Sequence, residues 1–243
     1  MTPLVLLHGW GMTPAVFDAL AACLKPHYDV RVLPLPGYGS APACEPYTLG
    51  NLAAHLAAAA PERCVVAGWS LGGQVALEWA RHAPRQVRAL TLIATTPSFV
   101  QREGWTAAIE AQVLRSFAVE LKRNREATLT RFASLQAQGD EGLKTVMRTL
   151  RGATAAQTQA SACVLEQGLH VLLESDLRNA LEDVAQPVLV VHGDRDALTP
   201  PAAGEYLASG VQRGRLCVVP GAAHAPFVTH TRTIACAMQE FFE

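Results

Sequence analysis

The sequence predicts an α/β fold: a mostly parallel sheet with helices on both faces and a helical cap inserted between two of its strands. Three observations carry this. Over residues 1–97, strand-like apolar runs alternate with helical segments, the βαβ pattern of a parallel sheet buried on both sides. From residue 98 to about 181 no strand-like run is bounded by turns, whereas a parallel crossover needs only about a dozen residues. From residue 187 the alternation resumes. Residues 1–97 and 183–243 are therefore assigned to the core and 98–182 to the cap.

The elements follow in order. Residues 4–7 form a strand and 14–24 a helix. Residues 28–33 form a strand that stops at the rigid loop Pro34-Leu35-Pro36-Gly37-Tyr38-Gly39. An alanine-rich helix over 49–60 ends at Pro61, because proline cannot continue it. Then come a strand at 64–67, a helix at 71–82 and a strand at 87–94. Within the cap, Phe117, Leu121, Thr128, Phe132 and Leu135 keep a helical period. Strands at 188–191 and 216–219 and a last helix at 233–242 complete the core.

The chain has 243 residues, half of them hydrophobic, enough for one such domain. Its formal net charge of −1 supplies no global field to recruit nucleic acid or membrane. Apolar stretches are strand-length, short of the ~18–20 residues of a membrane span, and the start shows no signal-peptide pattern. The six cysteines form no Cys-x-x-Cys pair, so no zinc site is expected. Most are expected to be buried small hydrophobes in a reducing, cytoplasmic setting. The chain is expected to act as a monomer without metal or organic cofactor.

Chemistry concentrates where strands end. Gly68-Trp69-Ser70-Leu71-Gly72-Gly73 lies between a strand and a helix. A serine on so sharp a turn is held in a strained geometry that presents its hydroxyl, and the flanking glycines permit close approach. A serine here also suits a helix N-cap, but capping would not need glycine on both sides. His8-Gly9-Trp10-Gly11 follows the first strand, and the amides of Trp10 and Leu71 are placed to hold an oxyanion. After the strand at 188–191 come Asp194 and Asp196, and after that at 216–219 comes His224. The order Ser, Asp, His makes Ser70 the candidate nucleophile and His224 the general base. Asp196 is the favoured acid because it lies further into its loop, while Asp194 is expected to stabilise that loop. His8 is expected to brace the oxyanion loop and His192 to bond to a neighbouring loop. Asp176 and Asp183 are read as solvated or helix-start acids.

At these residues the chain resembles an α/β-hydrolase with a helical cap. Further runs extend the likeness: Leu35-Pro36-Gly37-Tyr38-Gly39, Arg131-Phe132-x-x-Leu135-Gln136 and Ala223-His224-Ala225-Pro226-Phe227. With the motifs above, they resemble the pimeloyl-acyl-carrier-protein methyl ester carboxylesterases of biotin synthesis over nearly the whole chain. The resemblance implies removal of a methyl ester from a pimeloyl chain on acyl carrier protein. It implies Ser70, Asp196 and His224 as the triad, and Trp10 and Leu71 at the acyl carbonyl. Phe132, Ala133, Ser134, Leu135 and Gln136 would line the substrate from the cap. One departure is that many relatives carry a hairpin before the first strand.

The charge pattern points to a protein-bound substrate separately. Between Arg115 and Arg151 eight basic residues oppose four acids, Glu120, Glu126, Asp140 and Glu141. Lys144, Arg148 and Arg151 share one helix face, and with Arg131 they are the expected docking residues for an acidic carrier. An ordinary solvated helix face is the plain alternative. Other functional readings are a capped serine hydrolase for small esters or for carbon–carbon bonds of ring-cleavage products, and a ligand-binding receptor without turnover. A haloalkane-type hydrolase is disfavoured, since position 70 would then be Asp.

Overall fold

Six parallel strands form the sheet in the computed structural model, in the order β2-β1-β3-β4-β5-β6. The structure describes residues 1–154 and 160–242; residues 155–159 of the expected cap and 243 of the expected core lie outside it. The strands are β1 Thr2–Leu7, β2 Tyr28–Leu33, β3 Cys64–Trp69, β4 Val87–Ile93, β5 Pro187–Gly193 and β6 Arg213–Val219. The central β3 is buried throughout, as a strand covered on both faces must be. The edge strands β2 and β6 are only partly covered, and Asp29 and Arg31 pair on the open edge of β2.

The core helices are α1 Asp18–Leu24, α2 Leu49–Ala59 and α3 Leu71–His82 before the cap, then α8 Pro201–Gly210, α9 Pro226–Thr229 and α10 Thr231–Phe242 after it. The expected helix over 14–24 opens as a 3-10 turn, Pro14–Phe17, before continuing as α1. Between β4 and β5 run α4 Ala111–Arg123, α5 Arg125–Ala137, α6 Leu143–Gly152 and α7 Ala162–Glu174. α4 packs on α5 and α7, and α5 on α6.

Three expectations need correction. Helix does not fill the whole insertion: residues 98–110 form an irregular segment with bridges Val100–Ile109 and Arg102–Trp105. Gly104, at φ +67°, supplies its tight turn. The helical period from Phe117 to Leu135 is not one helix. It breaks at Asn124, whose side chain accepts the Ala127 N–H and so starts α5 afresh. Nor are most cysteines buried. Cys44 and Cys64 are, but Cys23 and Cys217 are partly exposed and Cys163 and Cys236 exposed, because the outer faces of α1, α7 and α10 and the edge strand β6 leave them uncovered. Asp183 is exposed, as expected, and so is Asp176, which stands at the start of the 3-10 turn Arg178–Asp183 and accepts the Arg178 N–H. The Arg178 guanidinium bonded to it holds its carboxyl below the usual range. No described helix is long and apolar enough to cross a membrane.

Candidate active site

The C-terminal ends of β1, β3, β5 and β6 bring the candidate residues together. Ser70 follows β3 at φ 54° and ψ −120°, a conformation L-residues rarely adopt. The turn is held by Ser70 N–H donating to Ile93 O and by Thr95 Oγ1 donating to Ser70 O at 2.7 Å. Two glycines make it possible. A Cβ on Gly68 would collide with the Gly72 carbonyl, and one on Gly72 with the carbonyls of Leu7 and His8. Although Ser70 sits at the N-cap of α3, its side chain makes no capping bond. Instead its Oγ lies 3.1 Å from His224 Nε2.

His224 Nδ1 lies 2.8 Å from Asp196 Oδ2. A carboxylate oxygen only accepts, so Nδ1 carries the proton and Nε2 is left as the acceptor facing Ser70. All three side chains are buried. Burial by itself raises the Asp196 pKa, but the charge of His224 and its hydrogen bond outweigh this and hold the carboxyl below its ordinary value. Asp194 is exposed and its Oδ1 accepts the Gly221 N–H at 2.8 Å. It steadies the turn before His224 and lies outside the chain of bonds. Arg195 pairs with Glu141.

Trp10 and Leu71 flank Ser70 on two turns. Among the described residues neither amide donates a hydrogen bond within the chain. The turn carrying Trp10 is braced from below. His8 Nδ1 donates to Gly9 O at 2.9 Å, and its Nε2 accepts the Leu35 N–H at 3.0 Å. Burial pushes the His8 pKa down to about 4, so the ring stays neutral and keeps both bonds. Tyr38 Oη accepts the Gly11 N–H. His192, beside Asp196, bonds to Thr199 O at 2.6 Å.

The cap reaches the site at several points. Trp10 Nε1 donates to Leu165 O on α7, and its ring meets Phe132 and Phe117 edge-on. Gln136 O on α5 accepts the His224 N–H at 3.3 Å. Phe132, Ala133 and Gln136 are buried, while Ser134 and Leu135 are partly exposed. Ser134 Oγ donates to Thr130 O of its own helix. Five consecutive helical residues cover more than a full turn, so they cannot all face one ligand.

Of the expected docking residues, Arg131 pairs with Glu120 at 2.8 Å. Lys144, Arg148 and Arg151 are exposed on α6. Two acids counted against them lie elsewhere. Asp140 is buried, its Oδ2 accepting the Ala223 N–H and its Oδ1 the Gly142 N–H, and Glu141 pairs with Arg195.

Several supporting residues had no sequence signal. Trp69 Nε1 donates to His224 O at 2.7 Å, 155 residues away in sequence, and Trp69 also packs on Phe227. Asp140 is 83 residues from Ala223. The spacing Asp196-x-x-Thr199 was the one local clue to Thr199, whose Oγ1 donates to Asp196 Oδ2 at 2.7 Å.

The model of the alpha/beta hydrolase family matches residues 4–235. The chain is 41% identical to the pimeloyl-(acyl-carrier protein) methyl ester esterase of Aromatoleum aromaticum, over 98% of this chain and 96% of that protein. It is 38% identical to the protein of the same name from Nitrosomonas europaea, over 93% and 90%. Among solved structures, a bromoperoxidase from Bacillus anthracis superposes with a TM-score of 0.89 at 20% identity, covering 99% of this chain and 91% of that one. An esterase from Exiguobacterium antarcticum does so with a TM-score of 0.85 at 22% identity and the same coverage. At those identities the two structures speak for the fold.

Proposed function

The chain belongs to the alpha/beta hydrolase family, and within it to the pimeloyl-(acyl-carrier protein) methyl ester esterases. From that premise we propose that it hydrolyses the methyl ester of a pimeloyl chain carried on acyl carrier protein, in biotin synthesis, through Ser70, His224 and Asp196. The observation that carries the chemistry is the run of bonds from Ser70 Oγ to His224 Nε2 and from His224 Nδ1 to Asp196 Oδ2.

In this reading His224 Nε2 takes the Ser70 proton as Oγ attacks the ester carbonyl. The amides of Trp10 and Leu71 hold the oxyanion, each donor lowering the barrier by about 3–4 kcal/mol. The intermediate collapses to an acyl-enzyme as His224 protonates the departing methanol. Water then attacks, giving its proton to His224, which returns it to Ser70 Oγ as the free acid leaves. Asp196 holds the tautomer and stabilises the imidazolium. Phe132 and Gln136 face the acyl chain from the cap.

The exposed face of Lys144, Arg148 and Arg151, with Arg131 on α5, receives the acidic carrier. Its support is the surplus of positive charge there on a chain of net charge −1. The reaction is placed in the cytoplasm, in keeping with six free cysteines. The test is kcat/KM for the carrier-linked methyl ester against monomethyl pimelate. A strong preference for the carrier-linked ester is expected. Equal use of both would favour a small-ester hydrolase.

A further inference from the structure

The geometry points to Thr199 as a positioning residue: its hydroxyl, by sharing Asp196 Oδ2 with the His224 ring, sets how tightly the carboxylate holds the His224 proton. This rests on the reading of Ser70, His224 and Asp196 as the hydrolytic centre.

A carboxylate has room for about four donors, and Asp196 has four within bonding distance. Oδ1 accepts the N–H groups of Leu198 at 2.9 Å and Thr199 at 3.0 Å. Oδ2 accepts Thr199 Oγ1–H at 2.7 Å and His224 Nδ1–H at 2.8 Å. The direction of the hydroxyl proton follows by elimination. Besides Oδ2, Oγ1 has near it His224 Nδ1 at 3.4 Å and His192 Nε2 at 3.5 Å. Both ring nitrogens are donors already, the first to Asp196 and the second to Thr199 O at 2.6 Å. Among the described residues only Oδ2 is left to accept. Thr199 is itself clamped, its N–H on Asp196 and its C=O on His192, and it is fully buried.

Two donors on one oxygen divide its negative charge. A carboxylate relieved of charge by a hydroxyl pulls less on the imidazolium and releases the free imidazole at lower pH. Without the hydroxyl, Asp196 would hold the His224 proton more tightly, and the general base would become available only at higher pH. The sign is therefore fixed: removing the hydroxyl moves the acid limb of the rate profile upward.

The other titratable groups around the pair are few. His192 on β5 lies 3.5 Å from Oδ2, and burial holds its pKa below the ordinary value. Asp140, from the α5–α6 turn, bonds to Ala223 N–H. Asp194 and the Arg195–Glu141 pair lie on the outer side of the same loops. None of these contacts involves Thr199 Oγ1 beyond His192, so substitution of the hydroxyl leaves them in place. A purely structural Thr199, closing the turn after Asp196, would affect stability and leave the acid limb where it is.

The experiment is kcat/KM for p-nitrophenyl butyrate from about pH 5 to 9, with melting temperatures, for wild type, Thr199→Val and Thr199→Ser. Thr199→Val is expected to raise the acid limb by about 0.5–1 pH unit, lowering the rate on the limb about 3- to 10-fold. Thr199→Ser, which keeps the hydroxyl, is expected to restore it. An acid limb unmoved in Thr199→Val overturns the inference, as does a Ser variant that behaves like Val. If Thr199→Val does not fold, Thr199→Ala against Thr199→Ser carries the same two outcomes. Ser70→Ala is run alongside. If it still turns over, the reading of the centre has failed rather than the role of Thr199.

Discussion

The strand ends and the outer face of the cap use polar residues in opposite ways. At the strand ends, Asp196, His224, His8 and Thr199 are buried, and their hydrogen bonds are made within the protein. On α6, Lys144 and Arg148 stand in solvent. Buried groups act at low effective dielectric, where one misplaced proton or donor is costly. Exposed charges act through a screened field and mainly change how often partners meet. Substitutions at the first site should therefore alter chemistry strongly and respond to pH. Those on the second should alter encounter weakly and respond to salt.

The largest break in that contrast comes at the acid. Asp196→Asn is expected to lose about 10⁴ in kcat, because an amide can no longer hold the His224 tautomer. Asp194→Asn should be mild, since its carboxylate accepts the Gly221 N–H and lies outside the run of bonds from Ser70 to Asp196. The reverse result in steady-state assays would put the acid at 194. The next effect is indirect. Gly168 on α7 lies under the Trp10 ring, and a Cβ there would sit 2.7 Å from Trp10 Cδ1. Gly168→Val is expected to shift the Trp10 turn and lower kcat for p-nitrophenyl butyrate about 100-fold, the scale of a misplacement near 1 Å. An unchanged kcat would show that the oxyanion turn does not depend on the cap.

The pH response of stability comes third. The His8 pKa is about 4 in the folded chain against an ordinary 6.5, so the unfolded chain binds the proton first as pH falls. Stability is then complete above about 6.5 and declines towards 4 by roughly 1.4 kcal/mol per pH unit. Urea unfolding at pH 5 should give about 2 kcal/mol less than at pH 7 from this group alone. A flat profile would mean that His8 is not held neutral. The smallest effect belongs to the cap face. Charge reversal at Arg148 and Arg151 is expected to raise KM several-fold for the carrier-linked ester at low salt. It should leave p-nitrophenyl butyrate untouched and fade at high ionic strength. Equal losses on both substrates would signal a damaged cap.

The same two regions differ in how far the sequence exposes them. The sheet, its strand ends and the meeting of Ser70, Asp196 and His224 are legible because a strand running into a glycine turn is a local pattern. The bonds that hold this site are not local. Trp69 reaches His224 O, Trp10 reaches Leu165 O and Asp140 reaches Ala223 N–H across spans that no period records. Charge counting misreads Asp140 and Glu141 for that reason, since it sees their position along the chain and not the loop they turn towards. The break between α4 and α5 was visible in Asn124, a good capping residue, but the apolar period running past it hid the boundary.

The central claim is that Ser70 is the nucleophile that cleaves a carrier-linked methyl ester. Its most direct test is methanol release from pimeloyl-acyl-carrier-protein methyl ester by the wild-type chain and by Ser70→Ala, with circular dichroism to show that both are folded. The expected result is one methanol per carrier from the wild type and no enzymatic release from the variant. Release by folded Ser70→Ala at more than a small fraction of the wild-type rate, or none from the wild type, would contradict it.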